Sequence, residues 1–442
     1  MSAPTDPGEA AMGVHADLLA RHRAVLPSWL ALYYDDPIEL VSGEGRHVVD
    51  GEGRRYLDLF GGILTTMTAH ALPEVVEAVT TQAAKMLHTS TLYLIRAQVE
   101  LAEEIARLAP IDDAKVFFTT SGSEANEAAL LLATTARRSH QVLAMRNSYH
   151  GRSFATMAIT GNRGWSASAL SPLDVKYVHG SYPYRSPFRH LDDEAYIAAC
   201  VEDLRDVILT QTAGDIACLI AEPIQGVGGF ATPPDGLFGA FKAVCDEYGI
   251  LFVTDEVQTG WGRTGEHFWG NDAHGVRPDV LTFAKGLGNG LTIAGVVASA
   301  ALMDTVAANS IATFGGNPLS TTGALANLRY LLDNDLQANA AKIGAQLFGA
   351  LADAPARWPA IGEVRGKGLM LGIELVRPGT SEPDAPAAAR VLEATREAGV
   401  LIGKGGLHGN VLRIAPPLSI TAAEADVGLA ALGAACDGLE RA

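Results

Sequence analysis

A chain of 442 residues with 50 acidic and 33 basic side chains carries a formal net charge of −17, which argues against nucleic acid or an anionic membrane surface as a partner. Forty-eight per cent of its residues are hydrophobic, ample for a large core. No apolar run approaches the ~20 residues of a spanning helix, and no basic stretch followed by an apolar one opens the chain, so a soluble, cytoplasmic protein is expected. Its four cysteines, Cys200, Cys218, Cys245 and Cys436, have no paired spacing, and neither a disulfide frame nor a metal site is expected.

In chain order, residues 1–12 are small, polar and proline-containing and read as disordered. Helical periodicity follows over 73–86 and 97–108. Val116-Phe117-Phe118-Thr119-Thr120 reads as a buried strand that breaks at Ser121-Gly122-Ser123 before a helix opening on Glu124. Such a strand, turn and helix start is either an ordinary serine cap or a phosphate cradle, because the first-turn N–H groups lack intrahelical partners. A second strand, Val142 to Arg146, runs into Asn147-Ser148-Tyr149-His150-Gly151-Arg152. Here Tyr149 is suited to stacking on a flat ring and Arg152 to holding a carboxylate. His150 has no second ligand at metal spacing and is assigned a structural or packing role. Helices are expected over 192–210 and 237–248.

Next comes Ile250-Leu251-Phe252-Val253-Thr254, ending on Asp255-Glu256-Val257-Gln258, and then Val280-Leu281-Thr282-Phe283-Ala284, ending on Lys285-Gly286-Leu287-Gly288-Asn289-Gly290. In a parallel α/β sheet ligands lie beyond the carboxyl ends of strands, so Asp255 and Lys285 are placed to approach one small molecule. A lysine there loses solvation, its neutral amine becomes accessible, and attack on a carbonyl to give a Schiff base follows. With pyridoxal 5′-phosphate as that carbonyl, an acid is needed to keep the pyridine nitrogen protonated, and Gln258 is in reach of the ring's 3′-oxygen. Alone, Asp255 and Glu256 would equally suit an ion pair or a magnesium site. Beyond Asn317 the pattern turns to helices over 319–334, 336–353 and 386–399 with short strands near 368–375 and 411–414, a second, α+β unit. Residues 377–387 read as an exposed loop. The alternation of strand and helix upstream predicts a mostly parallel sheet covered on both faces.

Seven motifs together resemble, in order, the class III aminotransferases: Ser121 to Glu127, Tyr149 to Arg152, Glu222-Pro223-Ile224-Gln225-Gly226, Asp255 to Gly265, Lys285 to Gly290, Thr313-Phe314-Gly315-Gly316-Asn317-Pro318, and Leu412-Arg413-Ile414-Ala415-Pro416-Pro417-Leu418. The resemblance implies an α/β, fold type I enzyme with pyridoxal phosphate, working as a homodimer with shared active sites. The large domain, 65–314, carries a seven-stranded sheet; 1–64 joins 315–442 in the smaller α+β domain. Residue by residue, the resemblance makes Lys285 the Schiff-base lysine and Asp255 the pyridinium partner, with Tyr149 stacking and Gln258 at the 3′-oxygen. It adds Gly122 and Ser123 as phosphate donors, Glu222 as a buried acid shaping the pocket, and Thr313 as a phosphate contact from the other subunit. Arg413 is implied as the α-carboxylate arginine and Arg152 as the arginine for a more distant carboxylate, with Phe60 and Ile63 on the substrate side.

Departures narrow the chemistry. Where γ-aminobutyrate and ornithine aminotransferases carry a glutamate that pairs with the carboxylate arginine, this chain has Val227, so small keto acids such as pyruvate or glyoxylate are the expected acceptors. Ile63 stands where ornithine enzymes place a tyrosine, which disfavours ornithine. His88 to Leu94, Gly226 to Gly229 and His267 to Gly270 are similar to the alanine–glyoxylate aminotransferase type 2 branch, which also contains phospholyases. Ala69-His70-Ala71-Leu72-Pro73 departs from the family's Gly-His-x-His-Pro. The expected reaction is transfer of an amino group from an amino acid or ω-amino acid to a small keto acid by a ping-pong mechanism. The alternatives are a lyase or epimerase on the same residues, such as a phospholyase, or a 4-aminobutyrate-type enzyme using 2-oxoglutarate. The glycine strings at 286–290 and 403–409 do not fit a dinucleotide fingerprint.

Overall fold

The computed structural model describes residues 7–167 and 170–439, with side chains from Ala16 onward. Three strands open the chain, β1 (Leu40–Glu44), β2 (His47–Asp50) and β3 (Arg55–Asp58). The central sheet follows: β4 (Ala114–Thr119), β5 (Gln141–Met145), β6 (Asp174–Val178), β7 (Cys218–Ala221), β8 (Leu251–Asp255), β9 (Val280–Phe283) and β10 (Ala294–Ser299). Its order is β4-β10-β9-β8-β7-β5-β6. Only β10 runs antiparallel to its neighbours β4 and β9; the pairs β5·β6, β5·β7, β7·β8 and β8·β9 are parallel. The seven-stranded, mostly parallel sheet is therefore present as expected.

These strands are apolar along their whole length because helices cover both faces. β7 (Cys-Leu-Ile-Ala) and β9 (Val-Leu-Thr-Phe) have no exposed residue. The helices Asp193–Gln211 and Leu237–Tyr248 close one face with Tyr196, Leu204, Phe238 and Phe241, and Gly122–Arg137 closes the other with Ala129, Leu130 and Ala133. A continuous run of apolar residues in each strand thus follows from two-sided burial, and it leaves only the strand ends free to carry polar chemistry.

The last strands are β11 (Ile361–Lys367), β12 (Met370–Leu375), β13 (Val400–Leu401), β14 (Gly403–Gly405) and β15 (Val411–Ile414). β11, β12, β15 and β14 form an antiparallel sheet in that order, and β13 adds in parallel to β3, Val400 opposite Leu57. The beginning and end of the chain thus build one unit. Helix Pro318–Asp333 packs on Pro73–Ala83 and Arg96–Leu108, tying the C-terminal part to the large sheet's helices.

Two local features differ from the sequence reading. The chain is helical from Pro7 to Val25, so disorder through residue 12 is corrected for 7–12, where Glu9, Ala10, Ala11 and Met12 are helix formers; residues 1–6 lie outside the described residues. Gly61, Gly62, Ile63 and Leu64 all adopt positive φ (54°, 57°, 65° and 60°), a left-handed turn in which a β-branched residue is an outlier. That turn is closed by Leu64 N–H to Phe60 O and Thr65 N–H to Gly61 O, and it leaves Ile63 exposed.

Candidate active site

Every parallel strand of the sheet, and β4 with them, ends at the same edge, and that edge holds the candidate residues. A cleft of about 330 Å³ there is lined by Gly122, Ser123, Tyr149, Glu222, Asp255, Gln258 and Lys285, joined by Asn126 and His150. The larger cavity of the protein, about 620 Å³, lies along β4 and is apolar, with none of these residues in its wall.

Lys285 follows β9 with φ of +41°, a left-handed backbone that turns its side chain into the cleft. Burial lowers its pKa; the charges of Asp255 and Glu222 oppose that shift and Arg413 reinforces it. Asp255 ends β8. Its Oδ1 accepts from Val257 N–H at 3.1 Å, and its Oδ2 accepts from Asn126 Nδ2 and His150 Nδ1, each at 2.8 Å. Facing a carboxylate, Nδ1 is the protonated nitrogen, so His150 and Asn126 aim one carboxylate into the site. Thr282 in turn donates to Asn126 Oδ1 at 2.7 Å. Of the structural or packing role read for His150, the hydrogen bond gives the structural form: it holds Asp255 in place. Asn126 was missed outright, although a polar residue four positions after Gly122 in an alanine-rich helix lies on the same face.

Glu222 follows β7 and is 3 % exposed. Burial raises its pKa to about 7; Asp255 adds to the rise, while His150 and the N–H groups of Tyr149 and Gly226, both at 2.9 Å, restrain it. Tyr149 meets Trp165 edge-on at 5.5 Å.

The cleft fits pyridoxal phosphate. Gly122 and Ser123 begin helix Gly122–Arg137, capped by Ser121, so their N–H groups and the helix dipole face an anion. A Cβ at Gly122 would lie 3.3 Å from Val257, and one at Gly151 2.5 Å from Ser123 Oγ, so the cradle is closed to larger residues. Among the described residues Gln258 Oε1 is buried without a partner, an acceptor available to a bound group.

The substrate-side residues lie apart from this cleft wall. Arg413, on β15, is 3 % exposed. Its guanidinium donates only to oxygens of Lys404, Gly226 and Tyr33 and lies over Phe60 at 4.8 Å. Among the described residues it has no acidic partner, and Val227, in the place of the expected glutamate, is buried. Arg152 is exposed, its guanidinium over the Trp29 ring at 4.7 Å, and its N–H donates to Ser123 Oγ. Thr313 is exposed and is not part of its own protomer's cleft wall.

A model of the family described as aminotransferase class-III matches residues 33–436. Alanine–glyoxylate aminotransferase 2 homolog 2, mitochondrial, of Arabidopsis thaliana is 40 % identical over 417 residues, 94 % of this chain and 86 % of that protein. Among solved structures, an amine transaminase from an uncultivated Pseudomonas species in its PLP-bound form superposes with a TM-score of 0.87 at 31 % identity, covering 94 % of this chain and 98 % of that one. A phospholyase from Arthrobacter in complex with phosphoethanolamine superposes with a TM-score of 0.87 at 32 % identity, covering 95 % and 99 %.

Proposed function

The chain belongs to the class III aminotransferases, pyridoxal-phosphate enzymes, and we propose that it moves an amino group from an amino acid or ω-amino acid to a small 2-keto acid such as pyruvate or glyoxylate. The observation that carries the acceptor class is Arg413, a buried guanidinium bonded only to carbonyl and hydroxyl oxygens. A substrate carboxylate meets it without first displacing an acidic side chain. Where a glutamate gate exists, its swing makes room for a five-carbon dicarboxylate; Val227 has no charge to swing.

When bound, pyridoxal phosphate supplies an electron sink for the carbon that loses its proton. The protein's residues do the rest. Gly122 and Ser123 N–H groups take the phosphate, Tyr149 covers the ring face, Gln258 meets the 3′-oxygen, and Asp255 balances the positive ring nitrogen. Lys285 would anchor the cofactor until the donor's amine takes its place; its freed Nζ, whose neutral form burial favours, would then take the proton from the substrate carbon and deliver it to the cofactor carbon that had carried the aldehyde, the role of a general base and acid. Arg413 orients the substrate so that the bond to be broken faces Lys285.

The working unit we propose is a homodimer. Thr313 and Phe314 stand exposed beside His88, and Leu92, Tyr93 and Leu94 are exposed nearby, an apolar surface of the kind that marks an interface. In the dimer Thr313 of one protomer reaches the phosphate end of the other's cleft.

The visible absorbance of the holoenzyme tests the reaction. With L-alanine or β-alanine and no keto acid, the cofactor's band is lost and pyruvate or glyoxylate restores it. Phosphate release from phosphoethanolamine without any keto acid, the band persisting, would replace this reading with the phospholyase one.

A further inference from the structure

We propose that Tyr33, in the segment ahead of β1, is a positioning residue for Arg413 and so sets the enzyme's affinity for carboxylate substrates; the inference rests on the proposed role of Arg413. The phenol sits at the junction of everything that holds the guanidinium. Its hydroxyl donates to Lys404 O at 3.1 Å and accepts from Lys404 N–H at 3.3 Å and from Arg413 Nη2 at 3.4 Å. Lys404 O itself accepts from Arg413 Nε at 3.2 Å and Nη2 at 2.9 Å. One hydroxyl therefore fixes both the carbonyl that carries the fork and one arm of the fork.

The ring of Tyr33 adds a second hold. It stacks on Phe60 with centroids 5.9 Å apart and planes 21° off parallel, and Phe60 carries the guanidinium on its other contact, at 4.8 Å. Phe230 approaches the same guanidinium at 5.6 Å. A guanidinium laid on aromatic faces can still rotate in its own plane; directed oxygens stop that rotation. Gly226 O, at 3.2 Å from Nη1, directs one side, and the Lys404–Tyr33 pair directs the other.

With these partners assigned, Arg413 keeps one Nη1 hydrogen uncommitted, since a guanidinium has five donors. That hydrogen is a ready donor to a substrate carboxylate. Held by neutral oxygens, the fork retains its full positive charge toward the substrate, whereas a paired acid would cancel it. Tyr33 is thus what this chain uses to orient the arginine in place of an acidic side chain. A side chain 371 positions from Lys404 in sequence gives no local sign of this role.

The probe is propionate, an unreactive carboxylate, titrated into holoenzyme by calorimetry, together with the L-alanine half-reaction. Tyr33→Phe, which keeps the ring, should weaken propionate binding and raise the L-alanine KM about three- to tenfold, as expected for the loss of one ordinary hydrogen bond, while kcat changes less than twofold. Tyr33→Leu should weaken both further. In an Arg413→Met background, Tyr33→Phe should have no additional effect. Unchanged propionate affinity in both Tyr33 variants overturns the proposal, and so does an equal loss with and without Arg413. If wild type binds propionate through Arg413 but transfers no amino group from L-alanine or β-alanine, the proposed function fails while Tyr33 is still tested by binding.

Discussion

At Lys285 burial favours the neutral amine although two carboxylates stand close by: loss of solvation lowers the pKa against the pull of Asp255 and Glu222. The carboxylates are themselves occupied, Asp255 by Asn126 and His150 and Glu222 by two backbone N–H groups. Lys285→Ala should retain cofactor binding through the phosphate cradle and lose amino transfer by at least about 10²–10⁴-fold, the scale of a positioned base. Spectra and single-turnover assays check this, and appreciable turnover by that variant would refute the base assignment. The two principal residues were legible in the chain because each ends a short apolar run, and a polar residue at a strand end has few structural reasons to be there. Asn126 and His150 were not. Their bonds to Asp255 span 129 and 105 positions, and nothing local marks a helix asparagine or a loop histidine as the brace of a distant acid.

Between β8 and β9, Glu256 organises the turn that follows Asp255. Its carboxylate accepts from Thr259 Oγ1, Gly270 N–H and Asn271 N–H, so one side chain pins residues 256–271 and with them Gln258. Burial nonetheless raises its pKa to about 7, and the three donors offset that only in part. The unfolded value is near 4.5, so between pH 4.5 and 7 the folded state binds more protons and its stability falls as pH rises. The stability of wild type minus that of Glu256→Gln should therefore decline by on the order of 1–3 kcal/mol across that window and stay level above it. Chemical denaturation at a series of pH values measures this, and a difference that rose with pH would show that the donors outweigh burial. At this scale the sequence reveals β4, β5, β8 and β9 to within a residue or two, since two-sided burial makes them continuous apolar runs, while β6, β7 and β10 are not read from it. It conceals β10 as the antiparallel member, because strand direction is set by long-range pairing, and it conceals the left-handed turn at 61–64, where Ile63 contradicts local preference.

Across the whole molecule, β12 is bound to the segment 182–185 and to the strands beside it through Glu374, fully buried, which accepts from Tyr182, Arg185, Arg365 and Asn410. Arg365 also donates to Gly229 O at 2.8 Å, in the loop whose Gly226 O holds Arg413. Removing the carboxylate leaves Arg185 without its acidic partner and Arg365 with Glu363 alone, so Glu374→Gln should cost on the order of 1–3 kcal/mol of stability, read as a lowered denaturation midpoint of the holoenzyme. The proposed sharing of active sites makes a sharper demand on the assembly. Thr313 is exposed and lies outside the cleft wall formed by its own chain; in the proposed two-fold dimer each site would draw Lys285 from one protomer and Thr313 from the other. A Lys285→Ala homodimer is then inactive, and a Thr313→Glu homodimer is impaired because a carboxylate repels the cofactor phosphate. Unfolding and refolding the two together produces mixed dimers in which one site has both Lys285 and Thr313 intact. With random pairing about one quarter of all sites are restored, so the mixture should recover roughly that share of wild-type activity. Recovery no greater than the average of the two parents would place Thr313 outside the partner's site.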